Sequence, residues 1–316
     1  MAPYKVFIVG HEGTTGLRIH ERLSDRKDIE LLATADEDRK NVEAIKAVAK
    51  EADIVFLCLP DAASKEIMAA IGELPCKVID TSTAFRTADD WAYGFPELGA
   101  DYKTAIASEK HIANPGCHAS GMIACIAPLV KAGFVQPDYP FTITSLTGYS
   151  GGGKKMIGQY ESDPKDYFLY APRQYGLGQQ HKHLPEVQHV CGLSEAPIFM
   201  PIVDDYYSGM EVTVGIHSRL CRKPISIDKV QQALEDFYKD STIITVVPFT
   251  DNSNTGMLHA NQLSNTDSMK IYVTGNDERI MVHAIFDNLG KGASGAAVQC
   301  MNIALGLPED TGLALD

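Results

Sequence analysis

The sequence predicts two domains, a doubly wound α/β domain first and an α+β domain after it. Three observations carry that expectation. The chain has 316 residues, more than one hydrophobic core usually holds. Its first third alternates short apolar runs with segments of helical period. Its later part is dominated by strand-like segments, one of them strictly alternating between apolar and polar residues. Hydrophobic residues make up 45% and charged residues 22%, an ordinary globular composition with apolar material for two cores.

KVFIVG (5–10) is a short β-rich run, and TGLRIHERLSD after it reads as a helix through Leu17 and Leu23. IELLATAD (29–36), DIVFLCLP (53–60) and KVIDTS (77–82) are further strand candidates. Between them KNVEAIKAVAK and AASKEIMAAIGEL repeat with the helical period. Strands buried on both faces read as continuous apolar runs, so a parallel sheet with helices on both sides follows. In the later part FTITSLTGYS (141–150), PIFMPIV (197–203), IITVVPF (243–249), KIYVTG (270–275) and RIMVHAIFDN (279–288) are strand-like. MEVTVGIHSRL (210–220) sets Met210, Val212, Val214 and Ile216 against Glu211, Thr213, Gly215 and His217, the pattern of a half-exposed antiparallel strand. SIDKVQQALEDFYKD (226–240) is the one clear helix there, with Ser226 or Asp228 able to cap it.

Net charge is −13, from 41 acidic against 28 basic residues, which disfavours nucleic acid and anionic membranes as partners. A local cluster of Lys and Arg can still reverse the field inside one cleft. Seven cysteines without regular spacing argue against a disulfide framework or a zinc site and for reduced thiols in a cytoplasmic protein. No apolar run reaches the length of a signal peptide or a membrane span.

Several segments carry chemistry. VGHEGTTG places Gly10, Gly13 and Gly16 directly after the first strand, with Thr14 and Thr15 among them. Glycines there allow a tight turn and a close backbone approach, and the next helix N-terminus can hold a pyrophosphate. This favours a Rossmann-type dinucleotide domain over a plain strand-to-helix turn. Past the second strand, Asp36 suits a ribose 2′-hydroxyl and hence NAD, whereas Arg39 and Lys40 suit a 2′-phosphate and hence NADP; the residues alone leave both open. In HIANPGCHASG (111–121), Cys117 follows an Asn-Pro-Gly turn and opens a segment with Met122, Ile123, Ile126, Leu129 and Val130 on one helical face. A helix N-terminus lowers a thiol pKa, although free cysteines are more often core fillers.

QQHKHLPEV brings His181, His183 and Glu186 together. Metal ligation needs both rings on one side, which alternate residues give only in a strand, and Pro185 interrupts any helix; no metal site is expected. Acid–base work, with Glu186 orienting an imidazole, needs fewer assumptions than ligation, and a surface loop is the alternative. STAFR (82–86), GFPEL (94–98) and YSGGGKK (149–155) read as loops, and their Arg86, Lys154 and Lys155 are the cations to place near an anionic group. DNLGKGASGAAVQ (287–299) is a glycine-rich link between a strand and a terminal helix.

Taken together, VGHEGTTG, ANPGCHASG, HKHLPE and FDNLGKGASGAAVQ resemble the N-acetyl-γ-glutamyl-phosphate reductases, relatives of the aspartate-semialdehyde dehydrogenases, from residue 6 to residue 299. The resemblance implies reduction of the acyl phosphate N-acetyl-γ-glutamyl phosphate by NADPH in arginine biosynthesis, through a thioester on Cys117. It implies NADP, with Gly10, Gly13, Thr14, Thr15, Gly16 and Arg39 around the dinucleotide and Asn288 near its nicotinamide end. It also implies proton handling by His181 and His183 with Glu186 as partner, leaning to His183, and a homodimer or homotetramer. The expected division is residues 1–117 with 287–316 for the dinucleotide domain and 118–286 for the substrate and dimerisation domain. An aspartate-semialdehyde dehydrogenase, a non-catalytic NADP-binding sensor and a metal-dependent hydrolase are the competing readings.

Overall fold

The computed structural model describes residues 2–248 and 256–316. Its contacts group into two units, Met1–Gly116 with Ala293–Leu313, and Cys117–Gly292 with Ala314–Asp316. Phe249, at the end of one expected strand, lies outside the described residues.

In the first unit, β1 (Tyr4–Val9), β2 (Ile29–Leu32), β3 (Ile54–Leu57), β4 (Lys77–Asp80), β5 (Ala92–Tyr93) and β6 (His111–Ala113) form one sheet in the order β2-β1-β3-β4-β6-β5. Every pairing in it is parallel. Its double winding is written in single strands. Val6 and Ile8 of β1 pack with Ile19 and Leu23 of α1 (Thr14–Ser24), Ile106 of α4 (Ala100–Ser108) and Met301 of the terminal helix (Gly295–Ala304). The intervening Phe7 and Val9 pack on the other side, with Ile45 and Ala49 of α2 (Val42–Ala49) and Ile67 and Ile71 of α3 (Asp61–Ile71). Adjacent residues of a strand point to opposite faces, so a run such as Ile54–Leu57, wholly buried, needs apolar side chains at every position. Each such side chain contributes about 2 kcal/mol by leaving water.

The second unit holds a seven-stranded mixed sheet. It contains β7 (Thr142–Gly148), β8 (Arg173–Gln174), β9 (Ile198–Asp204), β10 (Met210–His217), β11 (Ile244–Val246), β12 (Met269–Asn276) and β13 (Arg279–Phe286). Their order is β11-β12-β13-β10-β7-β9-β8. Met210, Val212, Val214 and Ile216 are buried, while Glu211 and Thr213 are half-buried and Gly215 and His217 exposed, as the alternation predicts. Against the buried face lies α5 (Cys117–Lys131), where Gly121 is a contact point: a Cβ there would stand 2.5 Å from Val212 Cγ2. Helix α8 (Ile227–Tyr238) is capped by Ser226, whose side chain accepts from Lys229 N, and Tyr238 Oη donates to Ala124 O of α5 at 2.9 Å.

Two short helices depart from the sequence reading. The YSGGGKK segment is not all loop, since α6 (Gly153–Tyr160) begins inside it and carries Lys154 and Lys155. Pro185 does not interrupt a helix but sits in the first turn of α7 (Leu184–Cys191), where its missing N–H would have had no partner anyway. The division between units also differs in position from 286/287. Asp287 and Asn288 are held in the second unit, by Ser208 Oγ on Asp287 Oδ2 at 3.1 Å and Gly209 N on Asn288 Oδ1 at 2.9 Å.

Candidate active site

The first unit presents a glycine turn. Gly10 has φ +86°, and a Cβ there would fall 2.4 Å from Cys58 O. A Cβ at Gly16 would fall 2.4 Å from Gly10 O, so the bare residue lets α1 close onto the turn. A cavity of about 360 Å³ opens here, walled by Gly10, Glu12, Gly13, Thr34, Arg39 and Lys40 among others. Its size falls in the range of small-molecule sites. Asp36, Thr14, Thr15 and Gly16 are not in its wall; Thr14 and Thr15 form the first turn of α1. Cys58 is in the wall, its thiol pushed up to about 12 by burial.

The STAFR loop of the same unit is tied down from both sides. Asp80 Oδ1 accepts from Ser82 N at 2.9 Å, and Asp61 Oδ1 accepts from Thr83 N at 2.9 Å. Arg86 is buried, with Nη2 donating to Thr81 O at 3.0 Å.

The second unit holds the thiol. Cys117 is the first residue of α5 and half-buried, so its sulfur lies at the positive end of the helix dipole. The turn before the terminal helix presses close: a Cβ at Gly292 would stand 3.0 Å from Cys117 Cβ. Burial pushes the thiols of Cys58, Cys76, Cys125, Cys191 and Cys221 up.

Three histidines converge, one of them His118, the residue after Cys117. The ring centroids of His181 and His183 are 4.7 Å apart and edge-to-face, and His118 lies 5.5 and 5.6 Å from them. A strand is thus not needed to bring alternate histidines together, because the chain turns there, with Leu184 N donating to His181 O at 3.0 Å. His183 N donates to His181 Nδ1 at 3.2 Å. That bond assigns His181 the neutral tautomer with its proton on Nε2, and burial, followed by the Lys182 charge, lowers its pKa. His183 is the residue before α7 and Glu186 stands in that helix's first turn, both buried. Among the described residues no group of three His, Cys, Asp or Glu side chains is arranged to hold a metal ion.

Sequence reasoning passed over His118, Ser145 and Tyr175. His118 is buried between Ser145 Oγ, 2.8 Å from Nδ1, and Tyr175 Oη, 2.6 Å from Nε2. Burial, then the charge of His181, pushes its pKa down to about 3. Burial raises the Tyr175 phenol, and the charge of Cys117 adds to the effect, which puts the hydroxyl within electrostatic reach of the sulfur. The signals were present: a histidine adjoins the helix-start cysteine, and a tyrosine precedes His181 by a short loop.

Asn288 is bound within the second unit, where Nδ2 donates to Ser150 Oγ at 3.0 Å. Lys154 and Lys155 are exposed in the first turn of α6.

One unit carries a glycine cradle on a parallel sheet and the other a helix-start thiol with clustered histidines, features of a dinucleotide-linked oxidoreductase. Residues 5–105 match the semialdehyde dehydrogenase NAD binding domain, and residues 117–288 match the semialdehyde dehydrogenase dimerisation domain. The chain belongs to the semialdehyde dehydrogenase family. Its relatives within that family include N-acetyl-gamma-glutamyl-phosphate reductase 2 of a Nostoc species, 39% identical over 98% of this chain and 99% of the relative. N-acetyl-gamma-glutamyl-phosphate reductase of Sinorhizobium medicae is 42% identical over 95% of this chain and 98% of its own length. Among solved structures, aspartate semialdehyde dehydrogenase II of Vibrio cholerae superposes with a TM-score of 0.73 at 18% identity, over 97% of this chain and 99% of that one. Aspartate semialdehyde dehydrogenase with NADP from Candida albicans gives a TM-score of 0.69 at 15% identity, over 96% and 98%. At those identities the structures speak for the shared fold alone. Among the described residues no helix is long and apolar enough to cross a membrane.

Proposed function

We propose that this chain reduces N-acetyl-γ-glutamyl phosphate to N-acetylglutamate semialdehyde and phosphate, with NADPH as reductant and Cys117 as nucleophile. The observation that carries the reading is the thiol of Cys117 at the start of α5, with Tyr175 in electrostatic reach of it and the adjoining His118 clustered with His181 and His183 in the same unit. The substrate comes from the names of the full-length relatives.

The Cys117 thiolate attacks the acyl carbon, the carbon–oxygen bond to phosphate breaks, and a thioester remains. Backbone N–H groups at the start of α5 are available to the developing oxyanion. NADPH, when bound, supplies the hydride that reduces this thioester. The thioester oxygen takes up a proton on reduction and returns it to the same donor as the carbon–sulfur bond breaks, so the semialdehyde leaves with the thiolate restored. We assign the proton to His183, with Glu186 as its partner. His181, neutral and with its proton on Nε2, is the donor to substrate. Arg86, Lys154 and Lys155 are the cations assigned to the phosphoryl and carboxylate groups.

Support for NADP comes from the cavity wall, which includes Arg39 and Lys40 but not Asp36. Gly10 and Gly13 would hold the pyrophosphate, since the first has room for backbone only. We assign Asn288, fixed by Ser150 and Gly209, to the nicotinamide end. A homodimer or homotetramer working in the cytoplasm completes the proposal; the match to a dimerisation domain supports self-association.

The test is phosphate-dependent reduction of NADP by N-acetylglutamate semialdehyde, with aspartate semialdehyde as the competitor substrate. Faster turnover of the acetylated substrate is expected. Preference for aspartate semialdehyde would make the chain an aspartate-semialdehyde dehydrogenase, and no turnover of either would leave a binding protein on the same fold.

A further inference from the structure

The cation assigned above to a 2′-phosphate does not stand alone. Arg39 Nη1 is hydrogen-bonded and ion-paired to Glu12 Oε1. Glu12 belongs to the glycine turn after β1, Arg39 to the turn beyond β2, and both residues line the same cavity. Among the described residues of that wall Glu12 is the only carboxylate, set against Arg39 and Lys40. The pair is half-exposed, at 44% for Arg39 and 56% for Glu12, so water and ions reach it and the partners can exchange.

We propose that Glu12 sets the cofactor preference of this chain by competing with a nucleotide 2′-phosphate for Arg39. The inference rests on the assignment of NADP made above and deepens it. A ribose carrying only a 2′-hydroxyl leaves the Glu12–Arg39 pair in place, and the carboxylate can accept a hydrogen bond from that hydroxyl. A 2′-phosphate brings two negative charges to the same corner. It gains Arg39 only by displacing Glu12, and it then sits beside a carboxylate that repels it. Glu12 therefore lowers the ratio of NADP to NAD affinity below what Arg39 and Lys40 alone would give. The chain retains NADP binding at a moderated strength, which favours release of the oxidised cofactor.

The experiment is calorimetric titration of the full chain with NADP and, separately, with NAD, for wild type, Glu12→Gln, Arg39→Gln and the double variant. Glu12→Gln is expected to tighten NADP about three- to tenfold at low ionic strength, from the worth of an exposed ion pair plus one relieved repulsion. NAD affinity is expected to stay level or fall slightly, and the NADP gain to shrink as salt is raised. In the Arg39→Gln background the gain from Glu12→Gln is expected to be smaller, because the competition for the guanidinium is gone. NADP binding that is unchanged or weakened in Glu12→Gln, with Arg39→Gln still weakening it, would overturn this inference and leave the NADP assignment standing. Equal effects of Arg39→Gln on NADP and NAD would overturn the assignment of Arg39 to the 2′-phosphate, and the inference with it.

Discussion

The buried histidine next to Cys117 makes a stability prediction with a definite sign. His118 is 3% exposed and its pKa is pushed down to about 3 from an ordinary 6.5. Between those values the unfolded chain holds a proton at this position that the folded chain does not. Stability is therefore whole above pH 6.5 and falls as the pH drops below it. Near pH 5, about 1.5 units under the unfolded value, the loss is about 2 kcal/mol, at roughly 1.4 kcal/mol per unit. His118→Gln removes the titration. It also removes the bonds to Ser145 and Tyr175, but that cost is the same at both pH values. Equilibrium urea unfolding of wild type and variant, followed by circular dichroism near pH 8 and near pH 5, isolates the effect. The wild-type advantage should shrink by about 2 kcal/mol between the two. An advantage that does not change with pH would refute a neutral, buried His118.

Other consequences are open to direct measurement. His183→Asn should lower kcat strongly and shift its pH profile, whereas His181→Asn should act more on KM; the opposite assignment of effects would exchange their roles. Glu186→Gln should resemble a milder His183 change. Gly16→Ala should destabilise the first unit by about 1–3 kcal/mol, because its Cβ would meet Gly10 O at 2.4 Å, and should weaken dinucleotide binding; an unchanged melting temperature and Kd would contradict the packing argument. Iodoacetamide should label Cys117 first, since burial pushes five of the other thiols up, and peptide mapping would show any other order.

What the sequence disclosed follows from how much of each element is buried and how long it is. The β1 and β3 runs were legible because both their faces are covered. The alternation of β10 was legible because one face is covered by α5. Strands β5 and β6, two and three residues long, are too short for any period to appear. Helix α7 was hidden by Pro185, whose place in the first turn reverses its usual meaning. Helix α6 was hidden by the glycines before it.

The site followed the same logic. Cys117, His181 and His183 stood out as reactive types in short motifs, whereas His118 has no motif of its own apart from that of Cys117. Only the fold shows that it bridges Ser145 and Tyr175. The pairing of Glu12 with Arg39 depends on β1 lying beside β2, a neighbourhood that no local pattern contains.

The proposed mechanism turns on an acyl group carried by Cys117. N-acetylglutamate semialdehyde and NADP are mixed with enzyme in the absence of phosphate, the nicotinamide absorbance is followed, and the quenched protein is digested for mass spectrometry. A burst of about one reduced nicotinamide per chain is expected, with Cys117 as the thioester site, together with an N-acetylglutamyl adduct on the peptide that contains it. A burst that survives in Cys117→Ser, or an adduct on any other residue, would contradict it.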